Sequence, residues 1–156
     1  MKKLLLFILL PIFLNASYNV YFYEMKLGNI KTFDTLKDNY VLGDITNGFA
    51  RWLAGKDKIC LYNDDFKGSF ENIKMKKDSR HILKALDFAI DYPKHQIKYK
   101  KIVISDDRYM ILKCDKNCTF TTIKKGEENH KGSIIFKNNA FYSIYSDDKA
   151  VEIRRD

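Results

Sequence analysis

The second half of the chain is a series of short β-prone runs, and their short connections constrain the fold more than any other feature. The segments between the runs are polar and rich in Asp, Asn and Gly, which is typical of turns; the longest covers residues 126–132. Connections this short join antiparallel neighbours and cannot hold the crossover that parallel strands need. The predicted strands lie near Tyr99–Ile104, Arg108–Cys114, Thr119–Lys124, Ser133–Phe136, Phe141–Tyr145 and Val151–Arg154.

The strongest predicted helix precedes this region and runs from about Ser79 to Tyr92. Asp78 or Ser79 is a suitable N-cap, and Pro93 is expected to end the helix. Apolar residues recur along the segment at helical spacing, so one face is expected to pack against a sheet. The residues of that face are Ile82, Leu83, Leu86, Ala89 and Ile90.

A shorter helix is predicted over residues 47–54, capped by Asp44 or Thr46 and ended by Gly55. The expected fold class is α+β, with an antiparallel β-meander or partly closed barrel, one packed amphipathic helix and a short second helix. Further strands are predicted near Tyr18–Tyr23, Ile30–Phe33, Tyr40–Ile45 and Ile59–Tyr62.

The first sixteen residues have the composition of a secretory signal peptide. Lys2 and Lys3 precede an apolar run, and the small residue Ala16 stands just before Ser17. An apolar run of about 11 residues is too short to span a bilayer, which needs roughly 20. We expect residues 1–16 to be cleaved. Residues 17–156 would then form one periplasmic or secreted domain without a transmembrane anchor.

The charge of the chain restricts its partners. The formal net charge is +8 at pH 7, and a chain this basic attracts anionic partners. Export would separate the protein from nucleic acid, so nucleic acid is not an expected partner. An envelope protein with an acidic surface, or an anionic envelope surface of lipid or glycan, remains.

Three cysteines, Cys60, Cys114 and Cys118, would face an oxidising compartment. A tight turn between two strands would place Cys114 and Cys118 opposite each other, at the short separation a disulfide accepts. We therefore expect a structural Cys114–Cys118 disulfide, with Cys60 bonded to either of them as the alternative. Redox-active pairs use C-x-x-C at a helix N-terminus, and this pair has neither that spacing nor a helix.

No combination of residues in the sequence indicates an active site. H-E-x-x-H and G-x-S-x-G are absent, and His130 with Glu127 and Glu128 is expected in a solvated loop. The acidic pairs, such as Asp64 with Asp65, fall where turns are expected. We expect a protein that is not an enzyme and has no metal site and no cofactor.

Two features favour binding of a macromolecule. One is a basic cluster that includes Lys76, Lys77 and Arg80; the other is Arg51 beside Trp52, the only tryptophan. An exposed Trp beside Arg suits an interface or a membrane surface. The alternatives are that the lysines are separate solvated residues and that Trp52 closes one end of the core.

The function that these observations favour is that of a small exported non-enzymatic protein which binds an envelope macromolecule, as accessory, inhibitor and immunity proteins do. Two alternatives remain open at this point. The protein could be a thiol–disulfide-active periplasmic protein that uses its cysteines, or a peripheral binder of anionic lipid or glycan surfaces.

Overall fold

Eleven strands pair into a single sheet in the computed structural model, which describes residues 17–156. Two α-helices, α1 (Gly48–Ala54) and α2 (Ile82–His95), and a 3-10 helix (Asp34–Asp38) connect them. The strands are β1 (Tyr18–Phe22), β2 (Met25–Ile30), β3 (Tyr40–Ile45), β4 (Lys58–Tyr62), β5 (Lys74–Lys77), β6 (Tyr99–Ser105), β7 (Arg108–Cys114), β8 (Cys118–Lys124), β9 (Glu127–Lys137), β10 (Ala140–Ser146) and β11 (Glu152–Arg155).

The sheet consists of two meanders that meet in its middle. Its strand order is β5-β4-β3-β2-β1-β11-β10-β9-β8-β7-β6. Within residues 17–156, the first and last strands, β1 and β11, form the seam between the two meanders, with Val20 opposite Ile153. All neighbouring strands are antiparallel except β4 and β5, which are parallel.

The expected fold class is wrong. Strands account for 49% and helices for 19% of the described residues, and the architecture is one open, mixed, eleven-stranded sheet with two helices. Two features account for the difference between the expected and the observed fold: the pairing of β1 with β11 joins both meanders into one sheet, and β5 adds a parallel strand at its edge. The sequence of β5 is Lys-Met-Lys-Lys, without the alternation of apolar residues that marks a strand.

The predicted signal peptide, residues 1–16, lies outside the described residues.

Helix α2 supplies one side of the hydrophobic core, and the apolar face predicted for it does pack against the sheet. The helix begins only at Ile82, because His81 is in the left-handed conformation, with φ of 59°. The predicted cap Asp78 nevertheless satisfies the helix start, since its Oδ2 accepts the N–H of Leu83 at 2.7 Å. The sheet residues of the core include Val41, Met110, Leu112, Phe120, Ile134, Ile144 and Ile153.

Pro93 does not end α2, contrary to the prediction. The helix continues to His95, and Gln96 then adopts the left-handed conformation and donates its N–H to the Tyr92 carbonyl. A proline in the last turn removes a single intrahelical hydrogen bond, so the helix can run two residues past it.

The sheet curves around α2. A flat sheet of eleven strands would be about 48 Å wide, whereas a helix of this length spans about 21 Å. Nevertheless α2 contacts the connections of both meanders. Lys84 Nζ lies 3.0 Å from Asp65 Oδ2 after β4, and Tyr92 donates its hydroxyl proton to the Asp115 carbonyl after β7 at 3.0 Å. The curvature brings residues from distant strands together at the N-terminal end of α2.

The segment 126–132 is mostly strand and not the expected turn. The turn between β8 and β9 consists of Lys125 and Gly126, which have φ of 51° and 82°. Two residues of positive φ form the tight hairpin connections that match the twist of paired strands. As a result, Glu127, Glu128 and His130 belong to β9.

Candidate functional site

The apolar side chains of α1 point away from the protein. Phe49, Trp52 and Leu53 are 59%, 74% and 63% exposed, and α1 contains no buried residue. The rings of Phe49 and Trp52 stack at a centroid distance of 6.0 Å. Trp52 therefore does not close the core, although an i, i+3, i+4 apolar stripe is typical of the buried face of a helix.

Polar contacts hold α1 in this orientation. Asn47 caps the helix by accepting the N–H of Ala50 at 3.0 Å. Arg51 donates to the Ile45 carbonyl from Nη2 at 3.0 Å and pairs through Nε with Asp57 at 3.1 Å. Since the guanidinium of Arg51 turns toward the sheet, the apolar stripe of α1 turns toward solvent.

The β1–β2 connection adds a second set of exposed apolar residues beside α1. Phe22, Tyr23 and Met25 are 44%, 60% and 40% exposed. The two connections are adjacent because the N–H groups that lead into α1, those of residues 46 and 47, both bond to the Leu27 carbonyl in β2. We call this surface the apolar tip; it comprises Phe22, Tyr23, Met25, Phe49, Trp52 and Leu53.

A basic groove borders the apolar tip. Its volume is about 670 Å³, and its lining includes Arg51, Lys56, Lys58, Asp57 and Asn72. The three cations outnumber the single carboxylate, which is already paired with one of them. The groove therefore presents net positive charge next to exposed apolar side chains, an arrangement that attracts anionic groups.

The second predicted basic group lies elsewhere in the fold. Lys76 and Lys77 belong to β5, whose beginning adjoins the basic groove and whose end leads to Arg80. Lys77 pairs with Asp64 at 2.5 Å, and Arg80 pairs with Asp148 at 2.8 Å. Lys77 and Arg80 are thus engaged in ion pairs at the end of β5 that leads to α2, whereas Arg51 lines the groove at the other end of the strand.

The position of β5 gives its lysines a structural role. The strand lies at one edge of the sheet, and β6, which contains Lys100 and Lys101, lies at the other. Charged residues, lysine above all, on edge strands oppose pairing with the edge of another molecule. Lys76 and Lys77 are therefore explained without a binding partner.

A buried polar cluster at the start of α2 was not predicted from the sequence. His81 is 3% exposed, and its Nε2 lies 2.8 Å from Arg108 Nη1 in β7. Because a guanidinium can only donate, Nε2 accepts and the ring is neutral. Burial, reinforced by Arg108, lowers the pKa of His81 to about 4. No sequence spacing links the members of this cluster, which only the curvature of the sheet brings together.

His130 of β9 extends the same cluster. Its pKa is lowered first by burial and then by the charge of Arg80, while Asp148 acts in the opposite direction. Both lowered pKa values mean that protonation of either imidazole, beside Arg80 and Arg108, is expected to destabilise the cluster.

The predicted disulfide is present. Cys114 and Cys118 are directly opposed on β7 and β8, with Cα atoms 4.0 Å apart. Cys60 is a free, buried thiol whose pKa burial raises to about 11. Strand alternation places Cys60 on the opposite face of β4 from Leu61, which packs against the core that contains Cys118. The three cysteines therefore form no common site.

Loss of the disulfide is expected to destabilise the fold only moderately. The closed loop is short, so the chain-entropy model predicts a loss of about 2 kcal/mol in the free energy of unfolding. Urea unfolding of the Cys114→Ser, Cys118→Ser double variant measures this. A loss above about 4 kcal/mol would mean that the bond does more than close a turn.

None of the helices in residues 17–156 is long and apolar enough to cross a lipid bilayer. Over the same range, no three or more His, Cys, Asp or Glu side chains lie together in a set that could hold a metal ion. Comparison of the chain with protein-family models, with curated proteins and with solved structures finds no match.

Proposed function

We propose that this chain is an exported, non-enzymatic protein that binds an envelope macromolecule through the apolar tip and the basic groove. One observation carries the proposal: α1 turns Arg51 toward the sheet and Trp52 toward solvent. Arg51 and Trp52 belong to the proposed contact surface, whereas Lys76, Lys77 and Arg80 do not.

The energetics of α1 support a binding role. Burying a Leu or Phe side chain that is otherwise exposed contributes about 1.5–3 kcal/mol, and tryptophans are enriched among residues that dominate interface affinity. In the isolated chain this burial free energy is not gained, because the side chains of Phe49, Trp52 and Leu53 are exposed. A partner that covers them would recover it.

The cysteines give less support to the alternative of thiol–disulfide chemistry. Cys118 is 1% exposed, and the raised pKa of Cys60 keeps its sulfur in the unreactive thiol form. The opposed strand positions of Cys114 and Cys118 fit a structural bond. We therefore assign the disulfide to stability and the contact surface to function.

The test is sedimentation of the purified chain with native envelopes of the producing cell. Truncation of two central residues of the apolar tip, in Trp52→Ala, Leu53→Ala, is expected to weaken binding at least about tenfold, because such residues behave as interface hot spots. Val103→Ala is the matched control, since Val103 is 71% exposed on β6, away from the apolar tip.

Binding that is weakened by the double variant and unchanged in the control supports the proposal. Equal binding of the double variant and the native chain overturns it, as does a native chain that does not sediment with envelopes. Thermal unfolding of each variant establishes that a change in binding does not reflect loss of the fold.

A further inference from the structure

We infer that the envelope partner is the surface of an anionic phospholipid membrane, into whose interface the apolar tip inserts while the basic groove binds headgroup phosphates. This inference rests on the proposed function and names its partner. It concerns the same surface, argued from the order of its residues, its charge and the way α1 is attached.

The order of residues in this surface matches the layers of a membrane interface. The apolar tip consists of aromatic, Leu and Met side chains, which partition into the region between headgroups and acyl chains. Cations follow along the chain, since Lys56 and Lys58 come after α1 and line the basic groove. Apolar side chains that enter first would leave these cations at the level of the phosphates.

Charge favours lipid over a second copy of the chain. At the border of the apolar tip, the cations Arg51, Lys56 and Lys58 outnumber the single carboxylate of Asp57. The nearby Glu24 is already paired with Lys149. Two copies meeting tip to tip would bring like charges together, on chains that keep a formal net charge of +6 once Lys2 and Lys3 are subtracted from the +8 of the full sequence. A bilayer of anionic lipid has the complementary charge.

The attachment of α1 also fits insertion. The helix is held by its cap and by Arg51, which bonds to the Ile45 carbonyl and to Asp57, rather than by packing of apolar side chains. All three large apolar residues of α1 are therefore available together. Insertion would not require the helix to detach from the sheet.

The single tryptophan makes this inference directly measurable. Trp52 is the only Trp in the chain and is 74% exposed, so fluorescence excited selectively at tryptophan, outside the absorption of the tyrosines, reports the apolar tip. The probes are vesicles of phosphatidylcholine mixed with phosphatidylglycerol, and vesicles of phosphatidylcholine alone. We expect a blue shift and protection from acrylamide with the anionic vesicles only, with affinity falling steeply as salt increases.

Variants that keep Trp52 separate the apolar and electrostatic contributions. Two double variants are expected to weaken vesicle binding at least about tenfold each. One combines Phe49→Ala with Leu53→Ala, and the other is the charge reversal that combines Lys56→Glu with Lys58→Glu. The matched controls are Val103→Ala and Lys94→Glu, Lys98→Glu. The charge control removes the same net charge from exposed positions near the end of α2 and is expected to retain most of the binding.

Each outcome decides between the alternatives. Absence of a blue shift with anionic vesicles at low salt overturns the lipid inference. If sedimentation with native envelopes still depends on Trp52, the partner is an envelope protein or glycan and the proposed function stands. If that dependence is also absent, both the inference and the proposed function fall. Equal loss in the two charge reversals would show a diffuse attraction and would overturn the assignment of the basic groove.

Discussion

Replacement of Gly132 by alanine is expected to lower the free energy of unfolding by about 3 kcal/mol or more, because overpacking against a rigid neighbour is costly. A Cβ atom at Gly132 in β9 would lie 2.2 Å from Cζ of Phe120 and 2.3 Å from the Tyr145 carbonyl oxygen. The Phe120 ring covers Gly132 from the paired strand β8. The carbonyl of Tyr145 in β10 leaves the added methyl group no room on its other side. The Phe120 ring is buried, so it cannot move away without opening the core.

Gly48→Ala is the matched control for this prediction. Nothing lies within 4 Å of a Cβ built at Gly48, the first residue of α1. We expect Gly48→Ala to change stability by less than about 1 kcal/mol, in the stabilising direction that helix propensity favours. Urea unfolding monitored by circular dichroism measures both variants. A Gly132→Ala chain as stable as Gly48→Ala would contradict the register of β8, β9 and β10.

Acidification from pH 7 to pH 4 is expected to destabilise the fold by up to about 3 kcal/mol through His81 alone. The pKa of this residue falls from 6.5 to about 4 on folding. Between these values the unfolded chain binds the proton and the folded chain does not, so stability is fully present above pH 6.5 and is lost as the pH falls. His130, whose pKa is also lowered, adds to the loss.

Burial is the main cause of the lowered pKa of His81, and the charged groups around the ring modify it. Arg108 of β7 and Lys77 of β5 oppose protonation of the imidazole, as does His130 of β9. Asp64 favours protonation of the imidazole. Its own pKa is lowered, chiefly by its hydrogen bond with Lys77, so it stays charged as the pH falls. The balance is repulsive because Arg108 lies in direct contact with the ring.

His81→Asn tests this origin of the pH dependence. Asparagine accepts the left-handed conformation found at this position and offers an oxygen to Arg108, yet it does not titrate. We expect the curve of unfolding free energy against pH to flatten between pH 6.5 and 4. His95→Asn, at an exposed residue in the last turn of α2, is the control. A slope that His81→Asn leaves unchanged would contradict the assignment.

Local patterns predict much of the secondary structure. Tyr40–Ile45 and Arg108–Cys114 are strands with the predicted bounds, and the disulfide follows from the tight turn between β7 and β8. The partners of strands are less predictable, because pairing of β1 with β11 depends on residues at opposite ends of the chain. Strand β5 was missed because an edge strand rich in lysine contributes little to the core.

The candidate site shows a second limit of prediction from the sequence, namely the direction in which a helix turns its apolar face. The sequence predicts a helix at α1, but the apolar residues Phe49, Trp52 and Leu53, spaced i, i+3 and i+4, would fit a buried face or an exposed one. Its direction is decided by two polar contacts of Arg51, with the Ile45 carbonyl and with Asp57. Such contacts leave no periodic signal in the sequence. The cluster of His81 and Arg108 was missed because it depends on curvature of the whole sheet.

The pairing of β1 with β11 constrains the order of events in folding. Ser17 and Asp156, which are 139 residues apart, bond to each other beside this seam. Closing so long a loop early is entropically unfavourable, and contacts of this range are typical of slow folding. Until the seam forms, each meander ends in an unpaired strand that is open to misassociation. A chain that becomes free to fold from its N-terminus onward therefore cannot complete the sheet until the residues of β11 are also free.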